Sequence, residues 1–102
     1  MCYNGAVLKT VRQYASAVIK ELAPDAIVLY GSYAKDNARD DSDIDVAIIF
    51  DGFTGDWLKT SARLWHLTED ISFDIEPILL DKARDKSGFV RYIMKTGQVI
   101  WP

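Results

Sequence analysis

Between Gly5 and Leu22 the apolar residues Val7, Leu8, Val11, Tyr14, Ala15, Val18, Ile19 and Leu22 recur every three or four positions, which places them on one face of a helix that Pro24 ends. Ala26-Ile27-Val28-Leu29-Tyr30 is short, continuous and rich in β-branched residues, and predicts a strand covered on both faces. Gly31-Ser32 interrupts it. A second strand is predicted from Asp43 to Phe50, where alternation sends Asp43, Asp45, Ala47 and Ile49 to one face and Ile44, Val46, Ile48 and Phe50 to the other.

Asp51-Gly52 signals a turn, and Asp56 is a candidate N-cap for a helix with Trp57, Leu58, Ser61, Leu64, Trp65 and Thr68 along one stripe, stopping near Asp70. A third strand is expected over Ser72 to Leu80. Pro77 places it at or near an edge, because proline cannot donate to a sheet ladder. Asp74, Glu76 and Ile78 would share one of its faces. The remainder predicts a helix around Lys86 to Lys95, a stop at Gly97 and a brief extended Val99-Ile100-Trp101 tail. This mixed order predicts an α/β or α+β layout, a small sheet backed by helices on one side.

Composition narrows the picture. A chain of 102 residues that is 49% hydrophobic has room for one modest core, so one domain over 1–102 is expected. The net charge of -3 provides no chain-wide basic field, which disfavours nucleic acid as the main partner and favours a small molecule or a protein. Cys2 has no second cysteine to pair with, no apolar run approaches the ~18 residues of a membrane span, and the start lacks a secretory signal layout. A cytoplasmic location is the expectation.

Candidate chemistry lies between Gly31 and Asp45. A glycine leaving a buried strand allows a tight turn, after which backbone N–H groups and the Ser32 hydroxyl can meet an anion, although Gly-Ser pairs also serve as plain turns. Asp43 follows twelve residues after Gly31, and Asp45 leaves the same strand face. Two carboxylates roughly 6–7 Å apart along a strand either line a solvent face or hold a cation. All-oxygen ligands on a rigid strand favour Mg²⁺, which completes its shell with water and substrate phosphates. An EF-hand reading of Asp41, Asp43 and Asp45 fails, because Val46 and Gly52 stand where that loop needs glycine and glutamate.

Gly31-Ser32, ten intervening residues and Asp43-Ile44-Asp45 resemble the signature of the nucleotidyltransferase superfamily that includes DNA polymerase β, and Ser42-Asp43-Ile44-Asp45 is especially similar to its small prokaryotic members, the minimal nucleotidyltransferases. The resemblance covers nearly the whole chain. It implies a short mixed sheet flanked by helices, two Mg²⁺ ions, and ATP or another nucleoside triphosphate as substrate. It also implies a third carboxylate between hydrophobic residues on a neighbouring strand, for which Phe73-Asp74-Ile75 makes Asp74 the choice over Glu76, which precedes proline. Asp43, Asp45 and Asp74 would then be the catalytic and metal-binding residues, with Gly31, Ser32, Lys35 and Arg39 on the nucleotide. Many members carry arginine-glycine where this chain has Lys35-Asp36; Lys35 keeps a charge that suits phosphate or plain solvent, and Arg39 suits triphosphate or the neighbouring Asp40 and Asp41.

The same resemblance implies a separate HEPN-type toxin as partner, with this chain as an antitoxin that transfers AMP onto a tyrosine. A module that neutralises a partner by contact alone, and a small-molecule nucleotidyltransferase working as a dimer, are the alternatives. His66 lies mid-helix with no second ligand near it, and Trp57, Trp65, Trp101, Tyr92 and Phe89 read as core or interface.

Overall fold

A computed structural model describes residues 5–31 and 43–102. Helix α1 (Gly5–Leu22) leads into strand β1 (Ala26–Tyr30), followed by β2 (Ile44–Phe50), α2 (Trp57–Thr68), β3 (Ile75–Asp81), a 3-10 turn (Lys82–Arg84), α3 (Phe89–Thr96) and β4 (Gln98–Trp101). The four strands form one mixed sheet in the order β3-β2-β1-β4. β1 is antiparallel to both its neighbours, whereas β2 and β3 run parallel. This is the mixed sheet flanked by helices that the sequence predicts, with Pro77 on an edge strand where its missing donor costs nothing. The short tail is β4, the opposite edge, laddered onto β1 and tied down by Trp101 Nε1 donating to the Pro24 carbonyl at 3.3 Å.

Both faces of the sheet are buried, which is why β1 and β2 read as near-continuous apolar runs. Ile27, Leu29, Ile44, Val46 and Ile48 pack under Val11, Tyr14, Val18 of α1 and Leu64 of α2. On the opposite face Ala26, Val28, Ala47 and Ile49 pack against Val90 and Ile93 of α3. The helices therefore occupy both sides rather than the one side expected. The small Ala26 and Ala47 leave room for the short α3, whose Val90 and Ile93 close the second face with the partly buried Phe89 and Met94 packed beside them.

Local chemistry sets the element ends. The Asp56 carboxylate accepts from Lys59 N at 2.9 Å and caps α2, satisfying a backbone donor that the first turn leaves unpaired. The stripe foreseen on α2 is only partly covered. Leu64 and Thr68 are buried, while Leu58 stays 79% and Trp65 48% exposed. Tyr14 is fully buried, and its hydroxyl donates to the Leu64 carbonyl at 2.8 Å, pinning α1 to α2. At the far end of the sheet the buried Asp81 accepts from Gly52 N at 2.8 Å, Phe53 N at 3.1 Å and Ala83 N at 3.0 Å, holding the turn after β2 against the end of β3. No helix among the described residues is long and apolar enough to cross a membrane.

Candidate active site

Because β1 is antiparallel to β2 and β2 parallel to β3, the end of β1 and the starts of β2 and β3 meet at one end of the sheet. The register puts Tyr30 opposite Asp45, and Asp45 opposite Glu76. Directly opposed residues on adjacent strands project from the same face about 5 Å apart, so these three form a row across the sheet. Asp43 lies two residues before Asp45, at the mouth of β2.

The convergence has electrostatic consequences. Burial first, and then the charge of Asp43, push the Asp45 carboxyl above the usual carboxylate range. Glu76 is pushed up as well, chiefly by a hydrogen bond to Asp43, then by the Asp43 charge, by burial and by Asp45. The Tyr30 phenol is raised by burial and by Asp45 and Glu76. Like charges gathered where Asp45 and Glu76 are half-buried and Asp43 is exposed favour a proton or a cation between them. Among the described residues no cluster of three carboxylate, histidine or cysteine side chains is already closed around one point as a metal cage. The donor set itself, carboxylate oxygens on rigid strands with an open side, suits Mg²⁺, which retains water and takes substrate oxygens.

Gly31 is needed here for two reasons. Its φ of +76° lies in the left-handed region that side chains disfavour, and a Cβ built on it would sit 2.3 Å from Asp45 Oδ2. The glycine that ends β1 thus makes room for the carboxylate on β2. Sequence reasoning finds the turn; the space it vacates depends on pairing between two distant segments.

At the third carboxylate position the register brings Glu76, rather than Asp74, level with Asp45. Asp74 belongs to the turn before β3, is exposed, and uses its carbonyl to accept from Ile44 N at 2.8 Å. The strand alternation that would align it with Glu76 begins only at Ile75, so Glu76 is the residue brought level with Asp45. A hydrophobic-acid-hydrophobic setting surrounds both acids in sequence, and only the register separates them. Ser32, Lys35 and Arg39 lie outside the described residues. His66 is exposed on α2, its Nδ1 3.2 Å from Glu69 Oε2 and away from the carboxylate row. Phe89 meets Tyr30 edge-on, ring centroids 5.7 Å apart, and so props the end of the row; Trp57 stacks edge-on against Phe53.

Residues 13–102 match the family described as "Polymerase beta, Nucleotidyltransferase". In fold the chain is similar to the crystal structure of a protein from Sulfolobus solfataricus provisionally described as a nucleotidyltransferase, with a TM-score of 0.71 over 94% of this chain and 80% of that one. At 20% identity that likeness shows a shared fold. No curated protein matches the sequence.

Proposed function

The chain belongs to the polymerase β nucleotidyltransferase family, and we propose that it transfers AMP from ATP to an acceptor hydroxyl, with Mg²⁺ held by Asp43, Asp45 and Glu76. The observation that carries this reading is the row in which Asp45 stands level with Glu76, beside Asp43 and over the space left by Gly31. Glu76 takes the place in the triad that the sequence offers to Asp74.

Mg²⁺, when bound, offsets the charge of the triphosphate and of the departing pyrophosphate and acidifies the acceptor hydroxyl. Asp45 presents its oxygens from a strand whose backbone is laddered on both sides, with Asp43 at the mouth of that strand, so little reorganisation accompanies the reaction. A carboxylate of the row takes the hydroxyl proton as the acceptor oxygen bonds to the α-phosphorus and the bond to pyrophosphate breaks. Ser32, Lys35 and Arg39 are assigned to the phosphates on the strength of the family resemblance.

The similarity of Ser42-Asp43-Ile44-Asp45 to minimal nucleotidyltransferases supports a protein acceptor, a tyrosine of a HEPN-type toxin, with this chain as its antitoxin. Incubation of the purified chain with α-labelled ATP, Mg²⁺ and such a partner should label the partner. Asp43→Asn and Asp45→Asn should remove the label while leaving the circular-dichroism spectrum unchanged. A partner that is neutralised without ever being labelled would replace the enzymatic reading by one of contact alone.

A further inference from the structure

Charge along this chain is very uneven. Residues 82–95 contain five lysines and arginines and one aspartate, net +4, so the other 88 residues, with seven basic and fourteen acidic side chains, carry -7. The structure folds this basic segment around a concavity of about 750 Å³ between the 3-10 turn and α3, with Lys82, Lys86, Arg91 and Lys95 around a floor that includes Val90 and Met94. None of those four cations has a carboxylate partner among the described residues. The one acid in the wall among the described residues, Asp85, is already committed: its carboxylate accepts from Val90 N at 3.0 Å and Arg91 N at 3.2 Å. Arg84 is engaged with Asp81 at 3.3 Å.

This concavity is not the carboxylate site. Glu76 and Asp81 lie five residues apart along β3, roughly 17 Å at strand rise, and Lys82 follows Asp81 at the far end. Unpaired cations over an apolar floor are complementary to an anion that carries an apolar body. The volume falls within the range of about 300–1,000 Å³ typical of small-molecule sites. An extended polyanion fits less well. The 88 residues outside the patch carry a net -7, which opposes a long polyanion wherever it passes within a Debye length of about 8–10 Å of them, and among the described residues no aromatic ring lines the concavity for bases to stack on.

We infer that the concavity between the 3-10 turn and α3 is a second ligand site, for a phosphate-bearing small molecule of nucleotide size whose apolar or aromatic part rests on Val90 and Met94. Lys82 and Lys95 supply point charges to the phosphates, Arg91 supplies a planar donor fork, and the Met94 thioether accommodates the body of the ligand.

Met94 also provides the assay, because Met1 is the only other methionine. In methyl-labelled protein, titration with ADP in EDTA should shift the Met94 methyl resonance saturably and leave Met1 unchanged. ADP should bind more tightly than inorganic pyrophosphate, which has nothing to place on the floor. Lys82→Glu with Lys95→Glu, both at exposed positions that leave the fold intact, should weaken ADP about ten-fold or more. Asp43→Asn should leave the Met94 response to ADP unchanged, and since the readout needs no turnover, it stands or falls separately from the transfer reaction. Absence of a Met94 shift at millimolar ADP, equal affinity for pyrophosphate, or an undiminished response in the charge-reversed variant would overturn the inference. So would a shift produced by a short single-stranded RNA or an oligoglutamate peptide where ADP gives none, which would make the surface a macromolecular docking site.

Discussion

Substituting Gly31 by alanine tests how the turn and the carboxylates are coupled. Holding an alanine at φ +76° costs about 1–2 kcal/mol in backbone sterics, partly offset by about 0.4–1 kcal/mol from a less flexible unfolded chain. The new methyl also lands 2.3 Å from Asp45 Oδ2, with Asp45 Cγ at 3.2 Å and Cβ at 3.4 Å. The closest atom is the end of a side chain, so the carboxylate can swing away at a cost of about 0.5–1.5 kcal/mol in off-rotamer strain. Gly52→Ala is the matched control, since Gly52 has φ +84° with nothing within 4 Å of its Cβ position. Urea denaturation should show Gly31→Ala less stable than Gly52→Ala by about 0.5–1.5 kcal/mol, the strain at Asp45 alone. Function should suffer far more, because a displacement of about 1 Å at a reacting group is worth on the order of 10²-fold. Mg²⁺-dependent transfer should be lost in Gly31→Ala and kept in Gly52→Ala. Equal stability together with equal activity in the two variants would refute the close approach of Gly31 and Asp45.

Glu76→Gln should reduce transfer by about 10²-fold or more while Asp74→Asn stays within a few-fold, and the reverse pattern would return the third role to Asp74. Magnesium should raise the melting temperature of the wild-type protein, by about 2.7 kcal/mol of stability at a concentration one hundred times Kd. EDTA should reverse the gain, and Asp43→Asn with Asp45→Asn should abolish it. Tyr14→Phe leaves the Leu64 carbonyl without its buried donor and should cost about 1–2 kcal/mol, read as a lower urea midpoint at unchanged slope. Asp81 is held below the usual carboxylate range by the Gly52 N–H above all, then by the Ala83 and Phe53 N–H groups and the Arg84 charge. Its contribution is therefore complete above the unfolded value of about 4 and is lost as pH falls through the lower folded value. Asp81→Asn should flatten that part of the acid limb in a melting-temperature profile; an unchanged limb would assign acid sensitivity elsewhere.

Much of the fold is legible locally. The helical period of Gly5–Leu22, the alternation of Asp43 to Phe50 and the Asp56 cap are written in spacings of two to four residues, and each has its counterpart in the structure. The same alternation tells in advance that Asp43 and Asp45 leave one face with Ala47 and Ile49. The charge of the 82–95 segment is equally plain in the sequence, although averaging over the whole chain hides it.

What the sequence alone cannot express is pairing between segments far apart. Asp74 and Glu76 have the same kind of neighbours, and their difference arises only because β3 starts at Ile75 and aligns parallel with β2, bringing Glu76 level with Asp45. The second helical face is of the same kind: Val90 and Ile93 show a short apolar stripe, but its place opposite α1 and α2 follows from the small residues of β1 and β2 that it meets. Gly31 joins both levels. Its identity as a turn glycine is local, fixed by backbone sterics, whereas the room it gives Asp45 exists only once the hydrogen-bonded ladder sets β1 against β2. Periodicity determined the elements and their faces; strand register, a non-local property, decided which carboxylates face each other.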